Sequence, residues 1–312
     1  MSIIYLIALP DATRMMLTIK RHWKTALLLI CLTGAITLSS QQEAESPVST
    51  KMYGPYPLPP SMNFAGEPVP LQIPDVAERM DRELQSNAYF HSNTILALKR
   101  LTRYLPEIEA YLQEQGVPRD LKYVALAESL FGNVVSPKGA AGFWQLMPDT
   151  SKGYGIIIND EIDERYLLPK ATAAAARYFK TAKQKFGTWT NAAASYNRGM
   201  GGLQRAFASQ KVSSFYDLYL NEETSRYIFR ILALKEVLEN PARYGFNPDR
   251  LQGYEPMTGR TVTITESIPD LPQYALDQGI NYKTLKLYNP WIKEYKLTVS
   301  EQIPAYELRL PQ

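Results

Sequence analysis

Apolar residues recur every three to four positions along most of this chain, and no other feature constrains its fold as strongly. The pattern begins after Asp75 with Val76, Met80 and Leu84, and it continues in separate runs through the middle of the chain. A period of about 3.6 residues places such side chains on one face of an α-helix. Residues 75–252 are therefore predicted to form one helical domain.

Glycine and proline interrupt these runs and set the ends of the predicted helices. The predicted helices cover residues 93–104, 106–115, 120–131, 171–186, 190–196 and 226–238. After Gly253 the pattern changes, because residues 261–264 and 306–310 read as strands and two short helical patches surround Gly279. Residues 253–312 are predicted to form a small α+β module, so the fold class is mainly α with this module at the C-terminus.

The N-terminal 40 residues have the pattern of an export signal. A basic patch at Lys20, Arg21 and Lys24 precedes the apolar residues 25–38, and small residues follow. This stretch is shorter than the about 20 residues that a membrane span needs. Residues 1–40 are predicted to be a signal peptide or an N-terminal anchor, and lipidation at Cys31 is an alternative that the bulky Ile30 disfavours.

Proline is concentrated directly after the predicted signal. Eight of the 22 prolines lie between positions 47 and 74, which favours an extended backbone. Residues 41–74 are predicted to be a Pro-rich linker.

Charge and rare residues exclude several functions. Lys and Arg total 34 against 31 Asp and Glu, and the first 40 residues hold four of these bases and one acid, so the remainder is balanced. Without a basic excess, nucleic acid is not expected as a partner. Past residue 40 there is no cysteine and only His91, which excludes disulfides, Cys–His catalysis and multi-histidine metal sites.

The predicted helix 120–131 ends its apolar face in a carboxylate. Leu121, Val124, Ala125 and Glu128 share one face of this helix. Burial without a cationic partner would raise the pKa of Glu128 and keep it protonated, as a general acid requires. The alternative is a structural glutamate that pairs with an arginine or emerges at the helix end.

Four short sequence blocks follow one another within about 100 residues. They are Glu128-Ser129, the segment 136–148 (SPKGAAGFWQLMP), the segment 194–199 (ASYNRG) and the segment 223–227 (ETSRY). This order resembles the soluble lytic transglycosylase (SLT) family, most closely its membrane-bound lytic murein transglycosylase D branch. The segments 64–67 (FAGE) and 163–165 (DER) also fit that branch. The resemblance implies a goose-type-lysozyme-like helical catalytic domain that cuts peptidoglycan glycan strands.

The resemblance also implies roles for individual residues. Glu128 matches the single catalytic acid/base of the family. Substrate-binding positions are matched by Ser136, Gln145, Tyr196, Asn197 and Tyr227. Two features depart from the family: the spacing from Glu128 to Ser136 is shorter than in some relatives, and Phe143-Trp144 replaces the usual Leu-Met.

The reaction implied by the resemblance is non-hydrolytic cleavage of the MurNAc-β-1,4-GlcNAc bond, which leaves 1,6-anhydroMurNAc ends and requires neither cofactor nor metal. The implied partner is the peptidoglycan glycan strand in the cell envelope, either periplasmic or at the membrane through the N-terminus. The sequence does not identify protein partners. One alternative is a hydrolytic muramidase, which would need a second carboxylate. The candidate carboxylates for that role are Asp160, Glu161, Asp163 and Glu164. The other alternative is a non-catalytic peptidoglycan-binding protein. Separately, Trp144, Tyr196 and Tyr227 could be core aromatics instead of site residues.

The C-terminal module resembles a degenerate LysM repeat. Its cues are residues 261–264, Gly279, the segment 288–290 (YNP) and residues 308–310. Such repeats bind N-acetylglucosamine chains, but the segment 266–269 (ESIP) replaces the usual glycine-aspartate-threonine turn. A glycan-binding module and a structural cap on the helical domain therefore both remain open.

We expect export to remove the N-terminal segment, since a basic patch, a short apolar stretch and small residues are followed by a change in composition. Protein recovered from cells should begin near residues 40–42, which N-terminal sequencing measures. Recovery of a chain that retains residues 1–30 would contradict a cleaved signal.

Overall fold

The computed structural model describes residues 54–312 of the chain. The predicted signal or anchor at 1–40 and the first part of the predicted linker lie outside the described residues. Within 54–312, no helix has both the length and the apolar character needed to cross a membrane.

Helices dominate the described residues. The α-helices are α1 (Pro74–Tyr89), α2 (His91–Glu114), α3 (Lys122–Ser129), α4 (Pro148–Gly153), α5 (Leu168–Phe186), α6 (Trp189–Arg198), α7 (Met200–Gln210), α8 (Glu222–Glu239), α9 (Leu271–Asp277) and α10 (Tyr282–Tyr288). The strands are β1 (Asn63–Phe64), β2 (Glu67–Pro68), β3 (Arg260–Ile264) and β4 (Tyr306–Leu310). Short 3₁₀ turns occur at Arg119–Leu121, Glu164–Tyr166, Phe215–Asp217, Pro241–Tyr244 and Pro248–Arg250.

The predicted fold class, mainly α with a small α+β module, is confirmed by this element order. Two helix assignments are wrong. His91–Glu114 is one continuous helix that contains Pro106, since a long packed helix tolerates the loss of one backbone hydrogen bond. Helix α7 was not predicted, because Gly201 and Gly202 near its start weaken the helical signal.

Helix α8 is the central element of the helical domain. It contacts α1, α3 and α6, and its buried residues are Thr224, Tyr227, Ile228, Phe229, Ile231, Leu232, Ala233, Leu234, Val237 and Leu238. Burying a Leu, Ile or Phe side chain stabilises a fold by about 1.5–3 kcal/mol, so this helix makes a large contribution to the core.

A buried ion pair fastens α1 to the first turns of α8. Glu83 on α1 is 2% exposed, and its Oε1 accepts a hydrogen bond from Arg226 Nε at 2.5 Å. A buried carboxylate requires such a partner, because an unpaired charge in the interior is strongly destabilising. The pair fixes the part of α8 that immediately precedes Tyr227.

The segment before α1 belongs to the helical domain, so the predicted linker is wrong for residues 55–74. Met62, Phe64 and Val69 are buried in the main core, and the backbone of Tyr56 exchanges two hydrogen bonds with the Gln85 side chain. The prolines of this segment predicted an extended linker. Instead, the apolar residues between the prolines pack against the main core around the β1–β2 hairpin.

Glu67 of this hairpin caps helix α6. Its carboxylate accepts hydrogen bonds from the backbone N–H of Trp189 at 2.6 Å and from the N–H and hydroxyl of Thr190 at 2.9 Å each. Lys183 adds a longer contact at 3.3 Å. Burial raises the pKa of Glu67, but these hydrogen bonds outweigh burial and hold the pKa below 4.5. An anion at a helix N-terminus is favourable because the free N–H groups point toward it.

The C-terminal module has its own core. Strands β3 and β4 pair antiparallel, with Arg260 opposite Leu310 and Ile264 opposite Tyr306, and α9 and α10 complete the module. Its core contains Ile264, Ile268, Leu271, Ala275, Leu285, Trp291, Ile292, Leu297, Tyr306, Leu308 and Leu310, together with Ile162 from the helical domain. Residues Pro55–Gln312 form one compact unit.

We predict that Glu67→Gln lowers the free energy of unfolding at pH 7 by about 1 kcal/mol, the size of a lost helix cap. The folded-state pKa of Glu67 lies below its unfolded value, so its contribution is present above the unfolded pKa and lost as pH falls through the folded one. The difference between Glu67→Gln and wild type in denaturant titrations should therefore shrink in acid. The exposed Glu78 on α1 provides the control Glu78→Gln. A difference that grows in acid would contradict this account.

Candidate active site

Glu128 lies in the last turn of α3, where an apolar face ends. Leu121, Val124 and Ala125 on that face are fully buried. The helix stops at Leu130, which adopts a left-handed conformation and donates its N–H to the Leu126 carbonyl. The predicted end at residue 131 is therefore two residues too long.

Backbone strain is concentrated around this helix end. Leu130, Phe131 and Gln145 have positive φ values of 50°, 53° and 47°. A left-handed conformation costs a residue with a side chain about 1–2 kcal/mol. Such strain is retained where packing enforces it, and it is typical of functional sites.

The carboxyl of Glu128 is held by a tyrosine. Tyr227 on α8 is 3% exposed, and its hydroxyl donates to Glu128 Oε1 at 2.5 Å. Burial raises the pKa of the Glu128 carboxyl above 4.5, while the Tyr227 hydrogen bond and the charge of Arg230 act in the opposite direction. The net shift favours the protonated form of the Glu128 carboxyl.

Tyr196 on α6 also lies close enough to be affected by this charge. Burial raises its pKa well above 10, and the negative charge of Glu128 adds to the effect. The phenol therefore stays protonated, and its hydroxyl donates to the Trp144 carbonyl at 2.7 Å. Its ring stacks on Phe179 with centroids 4.9 Å apart. Trp144 itself is fully buried, as the core-aromatic alternative predicted for it.

The segment 134–146, which we call the cleft loop, follows α3. The amide nitrogen of Gln145 donates to the carbonyls of Val134 and Gly142 at 3.0 and 2.9 Å. The Ser136 hydroxyl accepts from the Ala140 N–H at 3.0 Å. Both side chains therefore maintain the shape of the loop, whatever else they bind.

Ser129 joins the end of α3 to the cleft loop. Its hydroxyl donates to the Phe143 carbonyl at 2.8 Å. The Phe143 ring in turn packs between Phe131, at 5.8 Å, and Tyr104, at 4.8 Å between centroids. The Glu128-Ser129 block thus combines a half-buried acid with the residue that positions the neighbouring loop.

The predicted site residues fall into three groups. Glu128, Tyr227 and Tyr196 come together from α3, α8 and α6. The side chain of Asn197 is exposed and makes no hydrogen bond within the described part of the chain. Ser136 and Gln145 lie in the cleft loop and do not contact Glu128 through a hydrogen bond.

The acids that a hydrolytic mechanism would need have other partners. Salt bridges join Glu161 to Lys296, Asp163 to Arg165 and Glu164 to Lys170, and Asp160 is exposed. The groups that shift the pKa of Glu128 are Tyr227 and Arg230, neither of which is an acid. Among residues 54–312, no group of three or more His, Cys, Asp or Glu side chains could hold a metal ion.

Sequence reasoning missed the roles of Arg230, Thr172 and Arg165. Arg230 lies one turn after Tyr227 on α8, so helical spacing could have identified it. Thr172 accepts a hydrogen bond from the indole of Trp144 at 2.9 Å. Arg165 donates to two carbonyls of the cleft loop, and no local pattern signals that long-range contact.

We predict that Tyr227→Phe raises the pKa of Glu128 further, because it removes a hydrogen bond that favours the ionised form. Titration of isotopically labelled glutamate carboxyls by NMR would measure the shift. Tyr219→Phe is the matched control, since Tyr219 is 90% exposed. An unchanged or lowered Glu128 pKa in Tyr227→Phe would contradict the assigned hydrogen bond.

Two family models match separate parts of the chain. Residues 106–218 match the transglycosylase SLT domain, and residues 260–312 match the soluble lytic transglycosylase C-terminal LysM-like domain. Among solved structures, the chain is similar to an inactive mutant of the lytic transglycosylase Slt from Pseudomonas aeruginosa, with 20% identity, a TM-score of 0.36, and coverage of 45% of this chain and 24% of that one. It is also similar to the 70 kDa soluble lytic transglycosylase from Escherichia coli, with 19% identity, a TM-score of 0.39, and coverage of 57% and 35%.

Curated relatives extend the match. The chain is 28% identical over 246 residues to membrane-bound lytic murein transglycosylase D of Escherichia coli, a match that covers 76% of this chain and 53% of that protein. The same protein from a second Escherichia coli strain matches equally. The chain thus spans about half the length of the curated relatives that it matches. The resemblance that the four sequence blocks indicated is confirmed: the chain carries a transglycosylase SLT domain and a LysM-like domain of the soluble lytic transglycosylases.

Proposed function

We propose that this protein is a peptidoglycan lytic transglycosylase, which cleaves the MurNAc-β-1,4-GlcNAc bond without water and leaves 1,6-anhydroMurNAc ends. The proposal rests on the Glu128 carboxyl, which is half-buried, has a raised pKa and accepts a hydrogen bond from Tyr227. No carboxylate is among the groups that shift this pKa. One protonated carboxyl without a second carboxylate suits a reaction in which the substrate supplies its own nucleophile.

Glu128 acts as acid and then as base in this proposal. Tyr227 donates to Oε1, so the acid proton resides on Oε2 and is transferred to the leaving glycosidic oxygen. The resulting carboxylate then removes a proton from the muramic-acid 6-hydroxyl, which attacks the anomeric carbon of the same sugar. An attacking group on the substrate itself makes this step intramolecular and gives it a high effective concentration.

The remaining site residues bind and position the sugar. Tyr227 supports the carboxylate form of Glu128 after the first proton transfer, since its hydroxyl remains a donor throughout. Tyr196 supports the cleft loop through the Trp144 carbonyl. Asn197 has a free, exposed amide within the described residues, and we assign it a direct substrate contact. Ser136 and Gln145 hold the cleft loop in the conformation in which it would contact the N-acetyl group of the substrate.

A hydrolytic muramidase is the second candidate, and the contacts of the acidic segment 160–164 argue against it. Inverting hydrolases hold two carboxyls about 6.5–9.5 Å apart around a water, and retaining ones hold them about 5–5.5 Å apart. Three of the four acids in this segment are paired with Lys296, Arg165 or Lys170 instead. A non-catalytic peptidoglycan-binding protein is disfavoured for a different reason: burial of Glu128 opposes its ionisation and serves no evident structural purpose.

The proposed function also assigns roles to the domains and a location to the protein. We assign the reaction to the helical domain, residues 75–252 together with the packed segment 55–74, and an accessory role to residues 253–312. The relatives named as membrane-bound murein transglycosylases support a location in the cell envelope. Export by the N-terminal segment, with or without retention at the membrane, would bring the protein to peptidoglycan.

We predict that Glu128→Gln reduces turnover of purified peptidoglycan by about 10²–10⁴-fold, because the only proton donor is removed. The fold should be retained and its melting temperature should not fall, since a neutral amide avoids the ionisation that burial opposes. Glu114→Gln, at an exposed position on α2, is the matched control and should digest peptidoglycan at the wild-type rate.

Mass spectrometry of the released fragments identifies the reaction. Wild-type products should be one water lighter than the corresponding reducing-end muropeptides. Reducing ends would establish a muramidase, and a Glu128→Gln variant with near wild-type turnover would refute the assignment of the acid.

A further inference from the structure

We infer that the C-terminal module is docked onto the helical domain so as to hold the cleft loop in shape, and that Arg165 is the positioning residue that connects them. The inference rests on the proposed function of the site, and it concerns residues 157–167, which we call the docking segment. This segment contacts the module on one side and the cleft loop on the other.

Glu161 makes most of the polar contact with the module. Its carboxylate accepts hydrogen bonds from the Thr298 N–H at 2.8 Å and hydroxyl at 2.9 Å, and it lies 3.0 Å from Lys296 Nζ. Its backbone carbonyl accepts from the Lys293 N–H at 2.7 Å. Four contacts converge on one residue that is neither catalytic nor exposed.

Ile162 makes the apolar contact. Its side chain is fully buried in the core of the module, together with Leu271, Trp291 and Ile292. The Asp163 N–H then donates to the Trp291 carbonyl at 2.8 Å. Burial of an isoleucine and a continuous set of backbone hydrogen bonds make this an integral contact and not a loose tether.

Arg165 links the docking segment to the cleft loop by hydrogen bonds. It is 8% exposed, and the Asp163 carboxylate accepts from its Nη2 at 2.6 Å and from its Nε at 2.9 and 3.2 Å. Its Nη1 donates to the carbonyls of Gly139 and Leu146 at 2.6 and 3.1 Å. One rigid guanidinium therefore ties both ends of the segment 139–146 to the docking segment.

The loop backbone lies too close to Arg165 to accept a side chain at position 142. Gly142 has a φ of +76°, and a Cβ placed on it would lie 2.1 Å from the Arg165 carbonyl oxygen. Between the two carbonyls that Arg165 holds lie Trp144 and Gln145, and the Trp144 carbonyl is the acceptor of Tyr196. A shift of Arg165 would thus move the loop that accepts the Tyr196 hydrogen bond, without a direct contact to Glu128.

The same contacts decide between the two roles left open for the module. Its segment 291–298 is used by Glu161, Ile162 and Asp163, so this part of the module is committed to the helical domain. The module therefore acts first as a structural support of the cleft loop. Within the described residues, any glycan contact would have to use surfaces other than this one.

Arg165→Lys tests the positioning role in the full-length protein. Lysine keeps the charge, but it cannot present a planar fork to a carboxylate and two carbonyls at once. We expect hydrogen exchange to increase in peptides covering 134–146 and to stay unchanged in peptides covering α8. On a short glycan substrate, kcat should fall by about 10–100-fold, as for a small misplacement of reacting groups. Arg177→Lys, at an exposed position on α5, is the control.

Two further measurements separate positioning from general damage. The pH dependence of the residual activity should match that of wild type, since Arg165 is not among the groups that shift the pKa of Glu128. Glu161→Gln should increase exchange in both 291–299 and 134–146, whereas Glu294→Gln, an exposed acid of the same module, should change neither. Glu161→Gln keeps the test decisive if Arg165→Lys does not fold.

Several results would overturn the inference. A folded Arg165→Lys protein with wild-type exchange in 134–146, or one with a loosened loop and undiminished kcat, would refute the positioning role. A Glu161→Gln protein whose altered exchange stops at the module would refute the connection. Hydrogen exchange requires no activity, so an inactive wild-type protein would refute the proposed function while leaving the connection itself measurable.

Discussion

The hydrogen bond from Tyr227 to Glu128 is the contact on which the rest of the site depends. It joins α3 to α8, the helix with the largest number of buried residues, and it occurs where burial raises the pKa of the carboxyl. Burial and the hydrogen bond act in opposite directions on this pKa. In the reaction that we propose, burial favours the acid form of Glu128 before the first proton transfer, and the hydrogen bond favours the carboxylate after it.

The surroundings of this pair are built to resist movement. The Glu83–Arg226 pair fixes the turn of α8 before Tyr227, and Glu67 caps the helix that carries Tyr196. The segment 55–74, predicted to be a linker, packs into the same domain, and the C-terminal module contacts residues 161–163. Strained residues such as Leu130 persist where the surrounding packing enforces them.

Local sequence patterns predicted the helices well where an apolar stripe was uninterrupted. Residues 190–196 and 226–238 lie inside α6 and α8, and the two strands of the module were predicted within one residue. The errors occurred where local chemistry and tertiary packing disagree. Pro106 lies inside a helix that its packing contacts stabilise. The glycines of α7 weaken the helical pattern of a segment that is a helix. The prolines near Phe64 give a linker-like composition to a hairpin that packs into the core.

By itself the sequence determined that the fold is helical, that Glu128 ends an apolar face, and that four blocks follow one another in the order found in a transglycosylase family. Each helical stripe and each block is a short stretch of neighbouring residues. Only the tertiary structure decided that Tyr227 donates to Glu128, that Gln145 and Ser136 shape their own loop, and that the acidic segment 160–164 serves docking. The physical reason differs between these contacts. The Tyr227–Glu128 and Thr298–Glu161 hydrogen bonds join residues 99 and 137 positions apart, whose approach depends on the packing of the whole core. The hydrogen bonds of Gln145 and Ser136 reach residues 3 to 11 positions away, but they depend on a loop conformation that no periodic pattern signals.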